Sequence, residues 1–235
     1  MYKILLFDLD DTIFDFKAAE VEAITKVLQF YGFPGTPELI DRYSTINLKL
    51  WEQLERKEIL IDDVLHSRFE LFFKTLGMAV NGPQTEAIFR QMINGHASLI
   101  SGAAKLLSRV KPQYGIYAIS NGLYKTQLAR LQKAGITDLF DGLFISETVG
   151  INKPDPRFFQ YVAQNIPGFN RDLALVIGDS LSSDIQGGIN AGIDTCWFNR
   201  QFANRPEAAS PVPTYEIHRL EELDLILANI PPVNY

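Results

Sequence analysis

Lys3-Ile4-Leu5-Leu6-Phe7 runs apolar without a break and stops abruptly at Asp8-Leu9-Asp10-Asp11-Thr12. Unbroken rather than alternating hydrophobicity predicts a strand covered on both faces, as in a parallel sheet. Ile116-Tyr117-Ala118-Ile119, Leu143-Phe144-Ile145 and Leu173-Ala174-Leu175-Val176-Ile177 have the same character, and Thr195-Cys196-Trp197-Phe198 makes a fifth run. Helical segments separate the later four. Ala103 to Val110 precedes the Ile116 run, and Tyr124 to Ala134 follows it, closing at Gly135 as a helix C-terminus does. Asp155-Pro156 opens another helix with a capping residue and a first-turn proline. The alternation predicts βαβ units and a doubly wound parallel α/β sheet.

Residues 15–97 read differently. Ile24, Val27, Leu28 and Tyr31 share a helical face ending at Gly32, and Thr36-Pro37-Glu38 has the form of a second helix start. Val64, Leu65, Arg68, Phe69, Phe72, Phe73 and Leu76 form the strongest helical stripe, closed by Gly77, and Gln84 to Ile93 makes a fourth helix. The expected organisation is an α/β core from residues 1–14 and 98–235, interrupted by an all-helical insert at 15–97.

The 235 residues, 46% hydrophobic and 21% charged, suit a folded chain with a substantial core. A net charge of -6 disfavours a nucleic-acid polymer as partner, because a phosphate-neutralising surface needs an excess of Lys and Arg. A single cysteine, Cys196, excludes an internal disulfide framework and a multi-cysteine zinc site, and reads as a small buried hydrophobe. No run approaches the roughly 18 apolar residues of a membrane span. Met1-Tyr2-Lys3 enters the first strand without the features of a signal peptide, so a cytoplasmic location is expected. His66, His96 and His218 have no ligand spacing. Trp51, Arg68, Phe69 and Phe72 read as helical core rather than as substrate contacts.

Chemistry-bearing residues cluster at the strand ends: Asp8 and Asp10, Ser120, Lys153, and the pair Asp179 and Asp184. Ligands of open α/β sheets bind beyond the carboxyl ends of the strands, so these residues can meet despite their separation. Ser120 and Lys153 are 33 residues apart and Lys153 and Asp179 are 26 apart, each close to one βα repeat. Asp8 to Ser120 is 112 residues, which shrinks to a similar step once the helical insert is set aside. Gathered carboxylates repel unless a cation neutralises them, and Mg²⁺ suits a few carboxylates completed by water and substrate phosphate. With Lys153 as a fixed positive charge and Ser120 as a hydroxyl donor, the set fits a phosphoryl group. Asp8 is placed to attack phosphorus while a neighbouring carboxyl shuttles the proton.

Asp8-Leu9-Asp10-Asp11-Thr12 resembles motif I of the haloacid dehalogenase superfamily, and Ser120 after its apolar strand resembles motif II. Asn152-Lys153-Pro154-Asp155 is similar to motif III, and Gly178-Asp179-Ser180-Leu181-Ser182-Ser183-Asp184 to motif IV, all in family order. The resemblance implies a Rossmann-like core with a helical C1 cap that closes over the site and selects the leaving group. It also implies Asp8 as nucleophile and Asp10 as general acid and base, with Asp10 lending its backbone carbonyl to Mg²⁺. Asp8 and Asp179 would be carboxylate ligands, and Asp184 would support the metal shell. Ser120 and Lys153 would hold phosphate, with Asn121 and Gly122 beside them, and Thr12 would orient the Asp10 loop. Asp11 reads as a turn residue. Ser120-Asn121-Gly122, Phe14-Asp15-Phe16 and Asp194-Thr195-Cys196-Trp197 resemble the bacterial pyrimidine 5′-nucleotidase branch, which implies a nucleoside 5′-monophosphate as substrate.

Other small phosphorylated metabolites, sugar phosphates among them, remain open from the motifs, as does a phosphomutase. A dehalogenase has no use for an acid two residues beyond the nucleophile, so Asp10 argues against one. A receiver-like module phosphorylated on aspartate shares the acidic cluster and lysine, but lacks a helical insert after its first strand. Oligomeric state is not encoded in these patterns.

Overall fold

The computed structural model describes residues 1–203 and 211–228. The chain divides into two compact units, Met1–Asp15 with Ala97–Tyr235, and Phe16–His96. In chain order, β1 (Ile4–Phe7) is followed by four helices of the second unit: α1 (Phe16–Phe30), α2 (Pro37–Glu55), α3 (Ile61–Lys74) and α4 (Gly82–Gly95). The first unit resumes with α5 (Ala103–Val110), β2 (Gly115–Ser120), α6 (Tyr124–Ala134), β3 (Gly142–Ile145), α7 (Ser146–Val149) and α8 (Pro156–Asn165). It continues with β4 (Ala174–Gly178), α9 (Gln186–Ala191), β5 (Asp194–Phe198), β6 (Tyr215–Ile217) and α10 (Leu223–Leu227).

Among the described residues, six strands form one parallel sheet in the order β3-β2-β1-β4-β5-β6. β1 is central, with Ile4 paired to Gly115 on one side and to Ala174 on the other. Its side chains alternate between two cores, which explains the unbroken apolar run. Leu5 and Phe7 pack with Leu106 and Leu107 of α5, Leu131 of α6 and Leu223 of α10. Ile4 and Leu6 face the opposite layer, with Phe158, Phe159 and Val162 of α8. Full burial of each such side chain contributes roughly 1.5–3 kcal/mol.

Local chemistry sets the helix ends. Gly135 terminates α6 at φ 68°, a conformation that disfavours a Cβ. Asp155 caps α8 by accepting the Arg157 N–H at 2.9 Å, and Pro156 takes the first helical position. Thr36 stands at the start of α2 as expected, but its side chain makes no cap hydrogen bond. β6 has no counterpart in the sequence expectation. It is only three residues long, too short for a periodic signal, and pairs Ile217 with Phe198.

In the second unit, Ile24, Val27 and Leu28 of α1, Tyr43 of α2, Phe69, Phe72 and Phe73 of α3 and Phe89 of α4 form one core. Phe69 and Phe72 are core residues, while Trp51 packs at the edge of a smaller cluster around Leu50, Leu54 and Val64. Arg68 is also buried. Its guanidinium donates to Glu86 Oε2 at 2.8 and 2.5 Å and to Asn47 Oδ1 at 3.1 Å. Asn47 in turn donates to Glu20 Oε1 at 2.7 Å. Among the described residues, no helix is long and apolar enough to cross a membrane.

Candidate active site

The chain crosses from one side of β1 to the other between β3 and β4, which puts a topological switch point at the β1–β4 pair. Asp8 and Asp179 follow directly on these two strands. The Asp8 N–H still donates to the Ile177 carbonyl at 2.8 Å, so the ladder fixes its backbone. Asp179 is held from β5, where the Trp197 indole N–H donates to its carbonyl at 2.8 Å.

Beyond Asp179 the chain makes a single π-helical turn, Leu181–Ile185, a rare geometry that recurs at functional sites. The turn returns Asp184 toward β4: the N–H groups of Asp184 and Ile185 both donate to the Ser180 carbonyl, at 3.0 and 3.1 Å. The Ser180 N–H donates to Asp184 Oδ2 at 3.1 Å. Carboxylate oxygens of Asp8, Asp179 and Asp184 lie within 4.8 Å of one another.

Lys153, 1% exposed, enters this cluster. Its ammonium donates to Asp8 Oδ1 at 2.7 Å, Asp184 Oδ1 at 2.6 Å and the Ile119 carbonyl at 2.9 Å. Burial pulls the ammonium toward deprotonation, but the attraction of Asp184 and Asp8 outweighs it and its pKa is raised. Burial pushes the Asp8 carboxyl up to about 8, with Lys153 opposing and the charges of Asp184 and Asp10 adding. Asp179 is also raised well above the usual carboxylate range, by burial and then by Asp8, Asp184 and Asp11. Carboxyls that resist ionisation because they are buried, and beside other carboxylates, form a donor set short of positive charge. Hard oxygen ligands in that condition fit a small divalent cation.

Asp10 stands apart from the cluster. Its Oδ2 accepts from Gln127 Nε2 at 2.6 Å, and its Oδ1 is paired with the Arg130 guanidinium. Ser120 Oγ accepts from the same Gln127 amide at 3.1 Å and from the Gly122 N–H at 3.0 Å. With both lone pairs taken, the Ser120 hydroxyl is left with its proton to donate. The Asn121 side chain donates to the Lys153 carbonyl at 3.0 Å and accepts the Lys153 N–H at 2.9 Å.

These contacts engage several groups expected at the site. The Asn121 amide and the Gly122 N–H, expected beside phosphate, are engaged by the Lys153 backbone and by Ser120 Oγ. Thr12 is fully buried, and its hydroxyl meets no hydrogen-bond partner among the described residues. Asp11 is a turn residue with φ 57°, its N–H donating to the Phe14 carbonyl at 2.8 Å. Cys196 is buried, which pushes its thiol pKa up. His96 lies 3.6 Å from Glu22, and His218 Nδ1 lies 2.8 Å from the Asn199 carbonyl.

Gln127 and Arg130 escaped the sequence reading. They lie three apart on α6, 1% and 0% exposed. The available signal was polar and charged residues on the buried face of a helix that directly follows Ser120-Asn121-Gly122.

Buried carboxylates bridged by a lysine lie at the switch point of a parallel sheet, where open α/β folds bind their ligands. The chain belongs to the haloacid dehalogenase-like hydrolase family, whose model matches residues 2–192. It is 40% identical to the HAD-hydrolase YfnB of Bacillus subtilis (strain 168), over 96% of this chain and 95% of YfnB. It is 38% identical to the pyrimidine 5′-nucleotidase PynA of Streptococcus pneumoniae, over 94% of this chain and 93% of PynA. The pyrimidine 5′-nucleotidase YjjG of Escherichia coli is 33% identical, over 93% and 96% of the two chains. A crystal structure of YfnB bound to magnesium superposes with a TM-score of 0.92 at 39% identity, covering 97% of this chain and 99% of that one.

Proposed function

We propose that this hydrolase is a Mg²⁺-dependent phosphomonoesterase acting on nucleoside 5′-monophosphates through an aspartyl-phosphate on Asp8. The observation that carries the reading is the division of labour between two carboxylates two residues apart. Asp8 sits against Lys153 at the end of β1, while Asp10 is held separately by Gln127 and Arg130. An ester oxygen leaving phosphorus needs a proton, and Asp10 is the group placed to give it.

In the first half-reaction an Asp8 carboxylate oxygen forms a bond to phosphorus as the bond to the ester oxygen breaks. Asp10 protonates the departing alcohol. In the second half, Asp10 takes a proton from water as that water attacks the acyl phosphate, freeing Asp8 and inorganic phosphate. Ser120 Oγ–H and the Lys153 ammonium stabilise the phosphoryl oxygens, and Asn121 fixes the Lys153 backbone. Asp8, Asp179 and Asp184, with the Asp10 carbonyl, are the groups that would hold Mg²⁺, which when bound neutralises charge on the transferring phosphoryl group. The helical unit Phe16–His96 serves as the cap that selects the leaving group. The names of PynA and YjjG support a nucleotide rather than a sugar phosphate.

The test is hydrolysis of an aryl phosphate with and without Mg²⁺ by the wild type and Asp8→Asn. Activity is expected only with the metal and is expected to vanish in the variant; full activity in Asp8→Asn overturns the nucleophile. A panel of nucleoside monophosphates and sugar phosphates then ranks kcat/KM, and a sugar phosphate ahead of every nucleotide overturns the substrate class.

A further inference from the structure

Behind Asp10 lies a buried polar frame that no step of this mechanism uses. Arg130 is 0% exposed, beside Leu131, which packs in the apolar core that includes Leu5 and Phe7 of β1. Burying a guanidinium is unfavourable unless its partners are placed closely. Those partners include the Asp10 carboxylate, Gln127 Oε1 at 3.1 Å and the face of Phe14, whose centroid lies 4.2 Å from the guanidinium carbon. Gln127 completes the frame. Its amide nitrogen donates to Asp10 Oδ2 at 2.6 Å and to Ser120 Oγ at 3.1 Å.

Each oxygen of Asp10 therefore has its own donor, and the carboxylate plane is set from behind. Its side chain keeps 29% exposure, so an edge still faces outward. We infer that Gln127 and Arg130 are positioning residues that fix the Asp10 carboxyl for proton transfer and tie it to the hydroxyl of Ser120. The inference rests on the phosphomonoesterase reading of the same site. A free aspartate samples several rotamers, whereas a held one meets the ester oxygen without ordering at the moment of reaction, and misplacement by about 1 Å costs about 100-fold in rate. Gly122 belongs to the same arrangement: a Cβ there would lie 2.6 Å from Gln127 Nε2.

The experiment compares kcat/KM for an alkyl phosphate, whose alkoxide must be protonated to leave, with that for 2,4-dinitrophenyl phosphate, whose phenolate leaves unaided. This parameter covers only steps through leaving-group departure, and the ratio of the two substrates cancels uniform effects on phosphate binding. In Arg130→Met and in Gln127→Met the ratio is expected to fall by about 10- to 100-fold. On an Asp10→Asn background the same substitutions are expected to leave it unchanged, because the group they position is gone. Gln127→Met preserves length and neutrality, so it carries the comparison if Arg130→Met fails to fold by circular dichroism. An unchanged ratio in the folded variant, or a fall that persists with Asp10→Asn, overturns the inference. A wild type that hydrolyses neither phosphate overturns the functional reading itself, and this inference with it.

Discussion

A Cβ placed on Gly178 would lie 2.2 Å from Asp184 Oδ2 and 2.4 Å from its carboxyl carbon, so only glycine lets the carboxylate return this close to β4. Gly178→Ala should therefore fold but displace Asp184 from Lys153 and from the Ser180 N–H. Partners one step removed from a metal typically alter affinity by 10- to 100-fold, and a loss of about that size is expected when Mg²⁺ is titrated against activity. Wild-type Mg²⁺ dependence in this variant would remove Asp184 from the site. At this scale the sequence was partly readable. Asp8 and Asp179 stand out because each closes an apolar run at the mouth of a sheet, where the fold has no use for a charge, and Asp10 follows Asp8 by two residues. Asn121 was visible but its role was not, since its partner is the Lys153 peptide, 32 residues on, rather than anything local.

Single elements carry charge in ways that periodicity hides. The α3 stripe was read as core throughout, and Phe69 and Phe72 are core, but Arg68 between the same faces joins Glu86, Asn47 and Glu20. Burial opposes its charge, while the carboxylates around it hold it protonated. Arg68→Met removes one of the two cations on Glu86, leaving Arg90, and breaking one side of a buried pair costs up to about 3–5 kcal/mol. Urea unfolding should show a loss of that size, and a change below about 1 kcal/mol would mean that the network is neutral to stability. The α5 and α6 boundaries were legible because Gly135 and the short amphipathic repeats are local signals. Gln127 apart, the partners that make Arg130 and Arg68 tolerable in a helix interior lie on other elements, so no single window of sequence contains the whole set.

For the molecule as a whole, the acidic balance has a measurable consequence. Asp8 titrates near 3.8 when unfolded and near 8 when folded, and Asp179 shifts the same way. Between these values the folded chain holds more protons than the unfolded one, so these groups stabilise it below about pH 4 and lose that contribution as pH rises through about 8. Melts in EDTA should give a lower Tm at about pH 8 than at about pH 5, and Mg²⁺ should narrow the gap by favouring the ionised carboxylates. A gap that Mg²⁺ leaves untouched would place the ion elsewhere. The central position of β1 has a further consequence, for synthesis rather than chemistry. Its neighbours begin pairing at Gly115 and Ala174, 111 and 170 residues after Ile4. At about 5–20 residues per second, a ribosome displays this strand with an open edge for roughly ten to thirty seconds before its second neighbour exists. Four consecutive apolar residues that end buried stay unpaired on one edge throughout that interval, so the strand that carries Asp8 is the segment whose pairing waits longest on the rest of the chain.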